Sequence, residues 1–343
     1  MPVRLAALTL LLTAHSAAQT WIPQNSGTKA SLRGVSAVNS KIVWASGSRG
    51  TWLRTTDAGE HWQAGVVEGA ANLDFRGIRA FDANRAILMS SGPGDASRIY
   101  QTKDGGAHWR MLFNNPDAKG FFDAVAFWDA KHGIIIGDAV DGRMTVFTTN
   151  NGGEFWIRHI PPPAVGDEGA FAASNSCLVL RGSDEAWFGT GGKGAARVFH
   201  TSDRGRTWTV MPSPLRNDSA SAGIFSLAFR DGKHGVAVGG DYEKDKELTA
   251  NAALTNDGGK TWTPLRAFPP RGFRSAVEYL PEFKLWIATG TSGSDSSPDG
   301  LRWIRFDTGS YNALSGRWAV GAQGRIAYLT QKRSDTTPPQ GRE

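Results

Sequence analysis

The chain has 343 residues, a formal net charge of +6, one cysteine, 42 glycines and 13 tryptophans. A single cysteine excludes an internal disulfide framework. The mild charge, with scattered arginines and no aromatic-plus-basic signature, argues against a nucleic-acid partner. The glycines and tryptophans predict many tight turns and aromatic packing within one β-rich domain.

The first 18 residues have the parts of a secretory signal. Arg4 lies in a short n-region, an apolar run covers residues 5–14, and the small residues Ser16, Ala17 and Ala18 form a cleavage site. The alternative is an N-terminal membrane anchor, but this run is too short to span a bilayer comfortably. We therefore expect cleavage near Ala18, no membrane span, and a secreted or periplasmic protein.

After the signal, the chain is a series of units with four short strands each. In the first unit the strands are predicted at 32–38, 42–46 and 51–55, and the fourth begins at Trp62. The first strands of the next five units are predicted at 75–81, 122–128, 171–180, 224–229 and 273–279. A unit of this kind is about the length of a propeller blade.

An eight-residue pattern, Thr-x-Asp/Asn-x-Gly-x-x-Trp, joins the third and fourth strands of each unit. The Asp or Asn side chain can accept hydrogen bonds from following backbone N–H groups, glycine tolerates positive φ, and tryptophan supplies a large ring to pack between sheets. The copies are 55–62, 102–109, 149–156, 201–208 and 255–262, with a worn copy at 296–303. This recurrence predicts six blades.

The two ends of the domain predict a seventh blade. Residues 312–330 supply three strands and lack a fourth, whereas Thr20-Trp21-Ile22-Pro23 has the character of a final strand. Pairing the two ends would close the ring and remove an exposed sheet edge. We predict an all-β, seven-bladed β-propeller of four-stranded antiparallel blades over residues 19–330, closed by the N-terminal strand, with a disordered polar tail at 331–343.

The repeated pattern resembles the Asp-box, or BNR, repeat of sialidase-type and photosystem II assembly-factor-type propellers. Units such as Leu32-Arg33-Gly34-Val35 and 255–262 are similar to the photosystem II assembly and stability factor family over about residues 19–330. This resemblance implies an exported propeller without chemistry of its own, which holds a partner protein through an arginine-rich patch on one ring face. The closest matches to that patch are Arg33, Arg49, Arg76 and Arg274.

Strand direction predicts where a site would lie. In antiparallel blades the repeated turns lie on one face, and the long, variable loops between second and third strands lie on the other. The polar residues expected near the central opening on that other face are Arg33, Arg49, Arg76, Arg197, Asp241, Tyr242 and Arg274. They suit an anionic or sugar-like ligand or a peptide; the alternative is solvated ion pairs around a water-filled channel.

A glycoside hydrolase is the competing hypothesis. The resemblance to sialidases implies three arginines for the sugar carboxylate, here Arg33, Arg76 and Arg274, with Tyr311 as nucleophile, but the Phe-Arg-Ile-Pro motif is missing. Other propeller glycosidases use two carboxylates across the scissile bond. The candidates are Asp123, Asp138, Glu168 and Asp241. The leading interpretation is a non-catalytic monomer that binds a protein or carbohydrate at the ring mouth.

The sequence predicts no cofactor and no metal. It has no strand–helix dinucleotide fingerprint, cysteine pair or haem motif. Asp241, Glu243, Asp245 and Glu247 alternate in a way that suits Ca²⁺, but we interpret this run as a solvated loop. Cys177 is expected to be a buried core residue.

Overall fold

The computed structural model describes residues 18–332. The predicted signal segment before Ala18 and the tail from residue 333 onward lie outside the described residues. Within the described range, 28 strands form seven four-stranded antiparallel sheets. The predicted seven-bladed, all-β architecture is confirmed, and no helix in residues 18–332 is long and apolar enough to span a bilayer.

Each blade runs outward from the central channel. The innermost strands are β2 (Leu32–Ala37), β6 (Phe75–Ala80), β10 (Phe122–Phe127), β14 (Leu178–Arg181), β18 (Ala222–Phe229), β22 (Ala276–Leu280) and β26 (Ala313–Ser315). The second strands are β3 (Val43–Gly47), β7 (Ala86–Ser90), β11 (Gly133–Val140), β15 (Glu185–Gly189), β19 (Gly235–Asp241), β23 (Leu285–Gly290) and β27 (Trp318–Val320). Continuous apolar or small runs such as Val43-Trp44-Ala45-Ser46-Gly47 are buried throughout, because both faces of these strands are covered.

The outer half of each blade is more exposed. The third strands are β4 (Thr51–Thr55), β8 (Arg98–Thr102), β12 (Arg143–Thr149), β16 (Arg197–Thr201), β20 (Ala252–Thr255), β24 (Gly293–Ser297) and β28 (Ile326–Lys332). The outermost are β5 (Gln63–Val66), β9 (Arg110–Asn114), β13 (Ile157–Arg158), β17 (Thr209–Pro212), β21 (Thr263–Pro264), β25 (Ile304–Asp307) and β1 (Ala18–Gln24).

A separate hydrophobic cluster fills each of the seven blade interfaces. The tryptophan of the repeated turn reaches back into the preceding interface: Trp109 packs edge-on against Trp44, with ring centroids 6.1 Å apart. Trp62 does the same against Trp318 at 5.5 Å. Since burying such rings contributes most of the energy of a core of this kind, the tryptophan spacing in the sequence directly reflects the blade spacing.

The repeated turn is held by a small hydrogen-bond network. In the first copy the Thr55 hydroxyl donates to Asp57 at 2.7 Å and accepts from the N–H of Gly59 at 3.0 Å. The Asp57 carboxylate also accepts from the N–H of His61 at 3.0 Å. The same arrangement recurs in the other four complete copies, so these residues satisfy one another and the turn.

The worn sixth copy keeps this network in a shorter turn. Ser297, rather than the expected Ser296, donates to Asp299 at 2.9 Å and accepts from the N–H of Gly300 at 2.8 Å. The hydroxyl of serine replaces that of threonine. The turn therefore persists although the pattern is shifted by one residue.

The ends of the described chain close the ring as predicted. β1 pairs antiparallel with β28 along its whole length, from Ala18 opposite Lys332 to Gln24 opposite Ile326. Seven paired residues make this the longest regular register in the seventh blade. β28 extends to Lys332, two residues into the segment predicted as a tail.

The fourth blade departs from the prediction. A strand was expected over residues 171–180, but β14 begins at Leu178 and ends at Arg181. Residues 169–177, which we call the plug segment, instead lie across the central channel. The apolar residues Phe171, Ala172 and Ala173 have the composition of an inner strand. However, the carbonyl of Ala172 accepts from arginines of the first and second blades, and the N–H of Ala173 bonds locally to the carbonyl of Phe171.

Candidate functional site

The plug segment contacts five other blades. The Asn175 amide exchanges hydrogen bonds with the backbone of Val125 at 2.9 and 3.0 Å. Ser174 donates to the carbonyl of Ser275 at 2.7 Å, and Ser176 bonds to the hydroxyl of Ser226 at 2.7 Å. The remaining two contacts are made by arginines of the first and second blades to the carbonyl of Ala172. The channel is thus blocked by main chain rather than open from face to face.

The plug divides the channel into two cavities. On the face of the repeated turns, a cavity of about 470 Å³ is lined by Arg79, Asn175 and Glu278 among others. Burial raises the pKa of Glu278 to about 7. On the opposite face lies a cavity of about 580 Å³, which we call the mouth cavity. Its size is typical of sites for small molecules or a few residues of a peptide.

The mouth cavity is formed by the starts of inner strands and the ends of second strands, as strand direction predicts. Of the sequence-predicted binding residues, Arg33, Arg76 and Tyr242 line it. Asp123 and Asp138, named as catalytic alternatives, line it as well. The plug contributes its floor.

Two arginines converge on one carbonyl of the plug. Arg33 and Arg76 each donate to the Ala172 oxygen at 3.4 Å. Arg76 also has a carboxylate partner, Asp74, at 2.8 Å. For Arg33, by contrast, no ion pair occurs among residues 18–332, and its Nε is buried without an acceptor. Burial, together with the charge of Arg76, lowers the pKa of Arg33. The charged form of Arg33 is therefore energetically unfavourable in the cavity wall.

Three aspartates line the same cavity: the exposed Asp167, and Asp123 and Asp138, whose carboxyl groups are buried or half-buried. Asp123 is 1% exposed, and burial, followed by the charge of Asp138, raises its pKa well above the usual range. Burial raises the pKa of Asp138 to about 6, although its Oδ1 accepts from the N–H of Ala170 at 3.1 Å. A hydrogen bond with Asp138 contributes to the rise in the pKa of Asp123 and lowers that of Asp138, and such a bond between two carboxyl groups requires that one of them carries a proton.

Glycine 169 allows this arrangement. A Cβ at that position would lie 2.4 Å from Oδ1 of Asp138, much closer than two such atoms can approach. The backbone of residues 169–170 therefore lies directly against the carboxylate. This close approach explains why residue 169 is a glycine.

An aromatic wall completes the cavity. Phe171 of the plug stacks on Phe225 with ring centroids 3.8 Å apart, and Phe273 meets Phe225 edge-on at 4.6 Å. Tyr242, half exposed, stands at the rim. Of these rings, sequence reasoning selected only Tyr242. The others have no common position in the strands: Phe171 lies in the plug, Phe225 within β18 and Phe273 in the loop before β22.

Several predicted residues lie outside the mouth cavity. The Glu168 side chain is fully buried, and Arg197 and the Thr190 hydroxyl hold its carboxylate. Arg274 is also fully buried and donates to Asp295 at 2.8 Å. These two ion pairs are parts of the fourth and sixth blades, and their charges are already matched.

The remaining predicted residues lie near the rim. Asp241 is buried and accepts from the Ser219 hydroxyl at 3.1 Å and from the N–H of Glu243 at 3.0 Å. Burial opposes ionisation there, but hydrogen bonds from Ser221 and its neighbours lower the pKa of Asp241. Arg49 is exposed in the turn between β3 and β4, with φ of 60°. Neither lines the cavity.

The sialidase arrangement is not assembled. Arg274 is committed to Asp295, and Tyr311 is buried, with a pKa raised to about 12 by burial. A two-carboxylate glycosidase also fits poorly: its carboxyl groups are separated by about 5 Å in retaining and about 6.5–9.5 Å in inverting enzymes. Asp123 and Asp138 are instead within hydrogen-bond reach of each other.

One cluster of potential metal ligands occurs among residues 18–332. It consists of Asp57, Glu60 and His61 in the first repeated turn. Asp57 already accepts hydrogen bonds from Thr55 and His61 there, and the group is largely exposed, so it serves the turn.

Comparison with solved structures shows what this chain is similar to. A structure described as YCF48 bound to D1 peptide has a TM-score of 0.61 at 17% identity, over 92% of this chain and 98% of that one. YCF48 from Cyanidioschyzon merolae gives 0.61 at 16%, over 91% and 99%. The GH74 enzyme of Niastella koreensis gives 0.60 at 14%, over 87% of this chain and 51% of that one.

No family model matches the sequence, and no curated protein matches it. At these identities the structural likeness establishes the seven-bladed fold. A peptide-bound propeller and a glycoside hydrolase score almost equally, so function must be argued from the site.

Proposed function

We propose that this protein is a binding propeller without chemistry of its own, which captures a segment of a partner protein in the mouth cavity. The observation that carries the proposal is the composition of that cavity: an arginine without a carboxylate partner, a carboxyl pair and a wall of aromatic rings, closed below by the plug. Arginine and aromatic side chains in desolvated pockets dominate the binding energy of protein interfaces.

The position of the plug favours a partner segment that ends or turns in the mouth cavity over a chain that passes through the channel. Because residues 169–177 block the channel, a peptide that enters the cavity must end or turn back there. The cavity volume of about 580 Å³ accommodates a few residues. The similarity to a propeller solved with a bound peptide agrees with this use of the fold.

Export is part of the proposal. It rests on the pattern of Arg4, the apolar run and the small residues before Gln19. Expression of the full chain in a Gram-negative host, followed by fractionation and N-terminal sequencing, tests it. We expect periplasmic protein that begins near Gln19; full-length protein in the cytoplasmic fraction would contradict export.

Site-specific photocrosslinking tests the binding face. Benzoylphenylalanine replaces Tyr242, which lies at the rim of the mouth cavity, in one variant. In a second variant it replaces Phe155, which is 65% exposed in a repeated turn on the other face. We expect a discrete protein adduct from position 242, weakened by Arg33→Gln, and none from position 155. Equal labelling from both positions would contradict the proposal.

The glycosidase hypothesis is tested with the same protein. A panel of glycans is assayed for turnover with the wild type, Asp123→Asn and Asp138→Asn. We expect no saturable hydrolysis. Hydrolysis that is lost in either variant would make the mouth cavity an active site and overturn the binding proposal.

A further inference from the structure

Neither carboxyl group of the pair in the mouth cavity forms an ion pair with a residue in 18–332, and the nearby Arg76 is paired with Asp74 instead. Apart from the proton that it can share with Asp138, the Oδ2 of Asp123 receives no hydrogen bond from any residue in 18–332. Nearly all buried polar atoms in folded proteins are hydrogen-bonded. Asp123 lines the mouth cavity, so a donor that arrives with a ligand and displaces the shared proton can satisfy this buried oxygen.

The cavity's own cations cannot supply that donor. Arg76 forms an ion pair with Asp74, and both Arg76 and Arg33 donate hydrogen bonds to the carbonyl oxygen of Ala172. The N–H of the same Ala172 faces Asp123. Ala172 of the plug thus accepts from the two arginines through its carbonyl and donates to Asp123 through its N–H, and the charge of Arg76 only partly offsets the effect of burial on the pKa of Asp123.

We propose that Asp123 and Asp138 form the binding site for a primary ammonium group of the bound segment, either a lysine side chain or a free N-terminus. The inference rests on the proposed function in one respect: it takes the carrier of the ammonium group to be a peptide. The site itself is defined by the two carboxyl groups.

An ammonium group fits the chemistry of this pair. It is a compact charge with three donors, so it can take the place of the shared proton and bond to both carboxylates at once. Ca²⁺ would need six to eight oxygen ligands, whereas this pair offers four oxygens, of which Oδ1 of Asp138 already accepts from the N–H of Ala170.

The aromatic wall suits the rest of such a ligand. Phe171, Phe225 and Phe273 form a continuous apolar surface across the cavity from blade to blade. The methylene stem of a lysine or the side chain of an N-terminal residue can pack on these rings, and the faces of the rings also attract a cation.

Binding of an ammonium group should displace protons. The charged and titratable groups around Asp123 are Asp138 on β11, Arg76 on β6 and Cys177 at the end of the plug. Burial, with the charge of Asp123 next, raises the pKa of the Cys177 thiol, which keeps it neutral. The shared proton of the carboxyl pair is therefore the one released.

Calorimetry with two matched pairs of small probes tests the inference and identifies the source. Phenylalaninamide represents a free N-terminus, with N-acetyl-phenylalaninamide as its neutral counterpart. Nα-acetyl-lysinamide represents a lysine side chain, with Nα,Nε-diacetyl-lysinamide as its counterpart. We expect at least one ammonium probe to bind tenfold or more tightly than its acetylated counterpart, with proton release detected as a buffer-dependent enthalpy.

Substitutions connect that binding to the pair. Asp123→Asn and Asp138→Asn should each reduce the affinity for the ammonium probe tenfold or more, while Asp95→Asn, which removes an 80% exposed carboxylate on the same face, should leave it unchanged. Equal affinity for charged and acetylated probes, or no effect of either amide variant, would overturn the inference.

The failure of this inference can be told apart from failure of the proposed function. If the photocrosslink from position 242 persists in Asp123→Asn and no ammonium probe is preferred, the mouth binds a partner without an ammonium site. If the probes bind as expected and no crosslink forms, the ammonium site stands and the protein-partner proposal fails.

Discussion

Aspartates occur on both faces of the ring, and their pKa values are shifted in opposite directions on the two faces. In the repeated turns a hydrogen bond from the N–H of His61 holds the pKa of Asp57 at about 2, and His108 does the same for Asp104. In the mouth cavity burial raises the pKa of Asp138 to about 6 and raises that of Asp123 well above its usual range. The turn carboxylates stabilise the fold, whereas the cavity carboxylates oppose it, which is typical of residues kept for binding.

The largest expected change in stability distinguishes a buried from an exposed arginine on the cavity face. Arg274→Met should lower the free energy of unfolding by about 3–5 kcal/mol, because Asp295 would remain buried without its partner. Arg49→Met, at an exposed arginine on the same face, should change it by less than about 0.5 kcal/mol. Urea unfolding measures both. Similar losses in the two variants would show that the buried pair contributes no more than a surface charge.

The next effect tests how tightly the turn face is packed. Gly106 has φ of +93°, and a Cβ there would lie 2.4 Å from the ring of Trp52. Gly106→Ala should therefore cost about 2–4 kcal/mol, from backbone strain and overpacking together. Gly142, in a cavity-face turn, has φ of +74° and open space around it, so Gly142→Ala should cost about 1 kcal/mol. Equal unfolding midpoints would contradict this difference.

A stabilising substitution is expected on the cavity face. Between pH 4 and pH 6 folded Asp138 keeps a proton that the unfolded chain releases, so its contribution to stability falls as the pH rises through that window. Asp138→Asn removes this penalty and should stabilise the protein by about 1–3 kcal/mol at pH 8. The gain should vanish near pH 3.5. Urea midpoints at both pH values provide the check, and a loss of stability at pH 8 would be the contrary result.

The smallest expected change in stability concerns an aspartate of a repeated turn. There ionisation of the carboxyl group stabilises the fold, in contrast to Asp138. A hydrogen bond from the Thr261 hydroxyl helps to lower the pKa of Asp257 to about 2, so its charge stabilises the fold above pH 4 and the contribution is lost as the pH falls towards 2. Asn151 occupies the same position in the third turn. Asp257→Asn should thus cost only a few tenths of a kcal/mol at pH 7, and the reverse change Asn151→Asp should gain a similar amount. A larger loss, undiminished at pH 2.5, would argue against an electrostatic cause.

The fold could be predicted because its signals are local and repeated. The Thr-x-Asp/Asn-x-Gly-x-x-Trp pattern specifies a turn by its own hydrogen bonds, and its tryptophan packs into the interface with the preceding blade. Ring closure was predictable because the strand at Thr20 lacked partners and the last unit lacked a strand. Neither inference required knowledge of contacts between distant side chains.

The site could be predicted only in part, because it depends on contacts between side chains that are distant in the sequence. Strand direction alone places Arg33, Arg76 and Asp123 at one mouth. The commitment of Arg274 to Asp295 depends on which side chain of a neighbouring strand faces it, which the pattern does not encode. The plug was missed because Phe171 and its apolar neighbours have the composition of an inner strand, and their route across the channel is determined by polar contacts with five different blades.

The pairing of β1 with β28 has a kinetic consequence. The hydroxyl of Thr330 donates to the carbonyl of Thr20 across 310 positions of sequence, so this contact adds strongly to the contact order of the fold. Loop-closure entropy makes such contacts form late and slowly. Until they form, the seventh blade is an open sheet with free edges, a template for pairing with another chain. The partly folded ring is therefore most prone to aggregation just before β1 pairs with β28.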